Sequence, residues 1–399
     1  MTGAADSAVA PKPIAVAVLS PTLWHAGGMV RWSRELVRGL ELVAPPERLD
    51  IHVIVRHSSH LAQQTVEEYG LRCTIHEVPV LRETTRTRID AVRRMAATLR
   101  SISPDVVEVP AGSLWLLGVR GPGCPVIVTV HGFPSKDLIP THDRLLARQL
   151  ANRGKAVLVA NTERLRTPLD QTIGVPAGTS ITLPAGTDDE PTDETQEFRE
   201  LLRDSFGFAA DEQVVVGLGR LVQNKRYDLF IEVADRLRSQ AEAASKRPPR
   251  FIVVGDGPEL ATLQAEVSRR GFDETVRFVG HITAPGGYLL GADAFLHPSD
   301  TEGAPFSVME ALLAGTPVVA TAVGGVPDLV NTPLEGRVVA PGDVDGLVEA
   351  LAAELETSSD VSDLMTRRDA RAAQARSRFS LETMGRAHLE LIERLAGRI

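Results

Sequence analysis

The stretch PSDTEGAPFSVMEALLAGTPVVATAVGGVPDLV, residues 298–330, decides how the rest of the chain is read. It reads as the end of a strand, a loop, a helix, a second strand and a second loop. Pro305 stands where a proline suits the first helical turn, because its φ is preset and a missing N–H costs nothing there. A strand that feeds a helix and then another strand is the βαβ unit of a parallel sheet covered on both faces.

Working outward, the same alternation runs through the chain. Short Val- and Ile-rich runs at 14–19, 51–55, 106–109, 126–130, 156–160 and 181–183 predict strands, with a helix over 29–42 after the first. A second series falls at 214–218, 250–254, 276–279, 294–297, 317–320 and 337–339. Between the two series lies TDDEPTDETQEF, an acidic stretch interrupted by Pro191, whose composition cannot bury a core. The expected architecture is α/β: a Rossmann-like domain over 1–186, a linker over 187–199, and a second Rossmann-like domain over 200–378. The apolar residues of a final helix over 379–399 would pack back on the first domain. Two doubly wound domains facing each other leave a cleft at the carboxyl ends of their strands, where such sheets bind ligands.

At 399 residues with 43% hydrophobic and 24% charged positions, the composition is that of a globular chain too long for one core. Cys73 and Cys124 are too few for a disulfide framework, and no Cys/His group has zinc-ligand spacing. The N-terminal residues lack the blocks of a signal peptide, and no apolar run approaches the roughly 20 residues of a membrane span. A cytoplasmic protein is expected. Net charge is −9, which argues against nucleic acid as a partner, but residues 1–185 hold 21 Lys+Arg against 16 Asp+Glu. The basic helix in which Arg86, Arg93 and Arg100 recur every seven residues offers a peripheral contact with an anionic membrane surface, or simply a solvated face.

The chemistry gathers in the loops after strands. The start of the helix opened by Pro305 offers unpaired N–H groups of Ala304, Phe306 and Ser307 to phosphate oxygens. Glu302 and Glu310 flank that point and can accept from sugar hydroxyls on either side. One anion between two polyols spells a nucleotide sugar. The alternative is a capping box joining Ser307 to Glu310, with Glu302 solvated. Arg220 and Lys225, in GLGRLVQNKRYDLFIE, follow a strand and precede a helix, as a fork and a point charge suited to a diphosphate. Gly27 and Gly28, after the first strand, permit close approach to a ligand or make a plain turn. His131, in VTVHGFP, ends an apolar strand on the cleft side. Trp24, His25 and Trp32 either shape an acceptor pocket or pack in the core.

GG at 27–28, HG at 131–132, GRLVQNK at 219–225, VVGDGPE at 253–259, VRFVG at 276–280, and Glu302 with seven residues before Glu310 together resemble the GT4 family of retaining glycosyltransferases, which have the GT-B fold. The resemblance covers nearly the whole chain. It implies that Arg220 and Lys225 bind the donor diphosphate, Glu302 the sugar hydroxyls, Glu310 the ribose, and Gly27 with Gly28 the phosphate-facing loop. It further places His131 near the transferred sugar and the backbone around His281 and Ile282 at the nucleobase, with no bound metal or other cofactor. The family's Asn-Gly-Val-Asp stands here as Ala185-Gly186-Thr187-Asp188, so any contact by that Asn is in doubt. The expected reaction transfers a hexose-type sugar, with retention, from a nucleoside-diphosphate sugar to a glycan, lipid-linked or small-molecule acceptor. A sugar phosphorylase, a sugar-nucleotide epimerase and a noncatalytic nucleotide-sugar-binding subunit are the rivals. A dehydrogenase is disfavoured because no G-x-G-x-x-G follows the first strand.

Overall fold

The computed structural model describes residues 12–23, 28–56, 59–79, 85–118, 121–137, 139–188, 194–357 and 361–399. Among them, the N-terminal part forms a seven-stranded sheet of β1 (Ile14–Ser20), β2 (Leu49–Val55), β3 (Thr74–Glu77), β4 (Val106–Pro110), β5 (Val126–Val130), β6 (Ala156–Ala160) and β7 (Ile181–Thr182). The spatial order is β3-β2-β1-β4-β5-β6-β7, with every pair parallel. The C-terminal part forms a six-stranded sheet of β8 (Val214–Leu218), β9 (Arg250–Val254), β10 (Val276–Gly280), β11 (Ala294–His297), β12 (Val318–Thr321) and β13 (Gly336–Val339). Its order is β10-β9-β8-β11-β12-β13, again all parallel. Both orders reverse beside the first strand, at β1/β4 and at β8/β11, so each domain opens a crevice there.

The central strands are continuous apolar runs because helices bury both of their faces. All seven residues of β1 are buried, as are all of β4, β5, β11 and β12. β3 is the strand that periodicity does not predict. Thr-Ile-His-Glu at a half-exposed sheet edge carries no apolar run.

The expected linker is corrected at its C-terminal end. Helix Thr195–Phe206 begins inside it, because Phe198 and Leu202 lie one turn apart and pack against helix Gly286–Gly291. An acidic composition hid an amphipathic first turn.

Two arginines fix the helix that carries the Pro305 turn, Phe306–Leu313. Arg368, fully buried in helix Val361–Phe379, donates to the carbonyl oxygens of Leu289, Leu290, Ala292 and Ala314 and to Thr316. Arg371 donates to Leu334 and Gly315. Carbonyls left over at helix C-termini are thus satisfied by guanidinium groups, and the Phe306–Leu313 helix is anchored from behind.

The chain returns to the N-terminal domain in helix Leu381–Leu395, started by the Ser380 side chain accepting from the Thr383 N–H. This helix packs along the first helix, Gly28–Val43. The two backbones meet at a pair of glycines: a Cβ on Gly385 would stand 2.0 Å from the carbonyl oxygen of Gly39. No helix of the described residues is long and apolar enough to cross a membrane. In the basic helix Thr85–Ile102, Arg93 is exposed and weakly paired with Asp90 at 3.7 Å. The side chain of Arg86 lies outside the described residues.

The glycine contact yields a test of the packing. Gly385→Ala forces backbone apart from backbone, which no rotamer change relieves, and should destabilise the protein by about 1–3 kcal/mol as overpacked cores do. Urea unfolding followed by circular dichroism measures this, and an unchanged midpoint would show that the helices do not approach so closely.

Candidate functional site

A cleft of about 1340 Å³ runs between the carboxyl ends of the two sheets. From the C-terminal domain it is lined by Arg220 and Lys225 after β8, His281 and Ile282 after β10, Glu302 and Ala304 after β11, and Phe306, Ser307 and Glu310 on the following helix. From the N-terminal domain come Gly28 and His131, each following a strand. Eleven sequence-predicted residues therefore share one cavity. Gly27, Trp24 and His25 lie outside the described residues.

Trp32 is a correction. It does not shape an acceptor pocket; its side chain is 0% exposed, with its ring 4.2 Å from that of His131 and 5.8 Å from that of His388. The helical period explains this, since Trp32 shares the inward face of its helix with Leu36 and Leu40 while Arg31 and Arg34 look into the cleft.

Glu302 is buried, and its Oε1 accepts from both the Lys225 ammonium and the Nε2 of His297, the latter at 2.7 Å. Burial alone would raise the carboxyl. The charges and hydrogen bonds of His297 and Lys225 outweigh it and bring the group down to about 2, so it is a carboxylate at any working pH. Arg220, by contrast, is exposed to the cleft and has no ion-pair partner among the described residues. It is ready for an anion.

The alternative capping box does not form. No side chain caps the Phe306–Leu313 helix, and Glu310 instead accepts from Arg31, at 2.5 Å across the cleft. The first-turn N–H groups of Phe306 and Ser307 are left for a ligand. Gly303 supplies the close approach of the two domains: a Cβ there would stand 2.4 Å from the carbonyl oxygen of His131 and 2.9 Å from Gly132.

Both ring nitrogens of His131 are buried without a hydrogen-bond partner, as is Oδ1 of Asn161, which lines the same cleft. Similar atoms occur elsewhere, at Thr195 and Arg368 among others, so it is their place in the cleft that sets these apart. Burial, aided by the nearby His388, pushes the His131 imidazole down to about 3 and keeps it neutral. Among the described residues no three of His, Cys, Asp and Glu gather as a metal-holding group.

Sequence reasoning missed Asn161, His297 and Arg31. The first two follow or end a strand and could have been found by that position alone. Arg31 sits in the first turn of helix Gly28–Val43, and its partners are far away in sequence. The arrangement can hold an anion at Arg220, Lys225 and the helix start, hydroxyls at Glu302 and Glu310, and a neutral imidazole opposite them.

Comparison with known proteins agrees with this geometry. Residues 198–378 match the family model described as glycosyl transferases group 1, and residues 26–191 the model described as glycosyltransferase family 4. The 2-deoxystreptamine N-acetyl-D-glucosaminyltransferase of Streptomyces fradiae is 30% identical over 82% of this chain and 84% of its own length. The 2-deoxystreptamine glucosyltransferase of Streptomyces kanamyceticus is 30% identical over 64% of this chain and 70% of its own. The solved structure of Anabaena HepE in complex with UDP and glucose superposes with a TM-score of 0.74 at 20% identity, covering 96% of this chain and 100% of that one. A paired-domain cleft of this construction, matched by family models on both of its sides, places the chain among the group 1, family 4 glycosyltransferases of the GT-B fold.

Proposed function

We propose that the protein transfers a hexose-type sugar, with retention and without a metal, from a nucleoside-diphosphate sugar to an acceptor hydroxyl held by the N-terminal domain. What carries the reading is the meeting, in one cleft, of an unpaired Arg220, the Lys225–Glu302–His297 group and the open helix start on one side with a neutral, unpartnered His131 on the other. In the expected transition state, positive charge grows on the sugar and negative charge on the departing diphosphate. Arg220, Lys225 and the helix N–H groups meet the latter, the work a divalent ion would otherwise do.

His131, neutral and desolvated, is suited to donate a hydrogen bond to a sugar oxygen and not to add a charge. Glu302 is committed to Lys225 and His297, which blunts it as a nucleophile and favours front-face displacement, in which the leaving phosphate takes the acceptor proton. Closure of the domains would exclude water from the reacting sugar. The HepE complex makes UDP-sugars the first donors to examine, and two relatives named for 2-deoxystreptamine make small cyclitols the first acceptors. Lipid-linked acceptors, approached through the basic N-terminal domain, come second.

Three outcomes test the reading. Arg220→Ala and Lys225→Ala should each lower turnover about 10²-fold or more, as loss of a transition-state donor does; near-normal turnover in both would overturn the assignment. In a panel of UDP-, GDP-, ADP- and dTDP-sugars, one should raise the melting temperature and be consumed with acceptor, giving a product whose anomeric NMR coupling matches the donor. An inverted anomer, conversion without acceptor or a requirement for inorganic phosphate would each refute it, and a trapped glycosyl-enzyme would overturn front-face displacement. His131 makes one contribution to the pH behaviour, its imidazole lying near 3 when folded against an ordinary 6.5. Between those values the unfolded chain binds the extra proton, so this contribution to stability falls as pH drops from about 6.5 towards 3. His131→Phe should reduce that acid sensitivity in thermal melts while abolishing most turnover; unaltered acid sensitivity would show that the imidazole is not buried.

A further inference from the structure

Glu310, the carboxylate given to the ribose, is already engaged from the opposite domain. Arg31 donates Nη2 to Glu310 Oε1 at 2.5 Å and to Thr187 Oγ1, in the interdomain connection, at 2.7 Å. The same guanidinium lies over the Phe306 ring, with Cζ 4.9 Å from its centroid, and Nε stands 3.7 Å from the buried Glu35 carboxylate. A planar fork held at this many points has little freedom. No described side chain donates to the second oxygen of Glu310, Oε2, and both residues line the cleft.

From this contact we infer that Arg31 is a positioning residue of the nucleotide site. By occupying Oε1 it holds the Glu310 carboxylate with Oε2 available to the ribose hydroxyls, and it does so from the acceptor domain. Ribose recognition thereby draws on both domains at once. Without Arg31 a half-buried carboxylate is left to sample several rotamers, and the ribose would have to order it on binding. The inference rests on the reading of Glu310 as the ribose carboxylate.

Calorimetric binding of UDP, GDP and ADP, each compared with its 2′,3′-dideoxy counterpart, tests it. The ratio of the two dissociation constants isolates the ribose hydroxyls from general effects on folding or phosphate binding. The intact protein should favour the ribonucleotide about tenfold or more, the span expected for a hydrogen bond to a charged group. Glu310→Ala should bring the ratio close to one. Arg31→Ala should do nearly the same with Glu310 still present, the double variant should add nothing, and Arg31→Lys should recover part of the ratio. Arg38→Ala, which loses contacts to Asp188 and Glu35 without touching Glu310, should keep it. If Arg31→Ala and Arg31→Lys keep the full ratio while Glu310→Ala loses it, the inference is wrong and the ribose assignment stands. Tighter ribonucleotide binding by Arg31→Ala would show that Arg31 competes with the ribose, which also overturns it. If Glu310→Ala keeps the ratio, or no nucleotide binds, the reading of the site itself falls.

Discussion

The C-terminal half of the cleft is held in shape by one buried carboxylate. Glu302 draws Lys225 from the loop after β8 and His297 from the end of β11, the two neighbouring strands at which the sheet order reverses. Chains leaving those strands diverge, and the crevice between them would otherwise have no reason to keep its walls in register. A carboxylate buried without partners would cost several kcal/mol, so the position of Lys225 is set by Glu302 as much as by its own turn. Arg226 strengthens the same link, bridging Asp228 and Asp300. The two cations are therefore unequal. Lys225 already gives a donor to Glu302, whereas Arg220 has no carboxylate partner among the described residues.

The facing wall works by the opposite device. His131 and Asn161 present buried polar atoms with no partner, each carrying a desolvation cost of about 1–3 kcal/mol. A ligand that supplies the missing partners would recover that cost on binding, and one that lacks them would not. Trp32 packs beside His131, fully buried, with the two rings 4.2 Å apart.

Most of the fold was legible because parallel strands buried on both faces are written as short valine and isoleucine runs, and the loops after them inherit their position. That is why Arg220, Glu302 and His131 could be named from the sequence. β3 was not legible, since an edge strand half in solvent needs no apolar run. Trp32 stayed open between pocket and core because proximity to the glycine loop in sequence says nothing of which helical face a side chain occupies. Arg31 was invisible for a related reason: its partners Glu310 and Thr187 lie 279 and 156 residues away, and only the apposition of two domains brings them together.

That apposition has a defined axis. The chain crosses between domains twice, once at 185–188 and once near Ser380, and the two crossings are tied. Thr187 donates its N–H to the carbonyl of Phe379 at 2.9 Å and bridges Ser380, while a Cβ on Gly186 would stand 2.5 Å from the Ser380 carbonyl oxygen. Motion that keeps these contacts is rotation about them, not sliding, because two crossings pinned together leave one hinge. The Gly303–His131 approach and the hydrogen bond from the Arg164 N–H to Asp328 at 2.7 Å join the domains beyond that axis, and they must part for the cleft to open. Arg31 stands at the axis itself, on Thr187, with Glu310 within its reach. A contact so near the hinge would move least in any swing of the domains, so Arg31 can stay on Glu310 whether the cleft is wide or narrow.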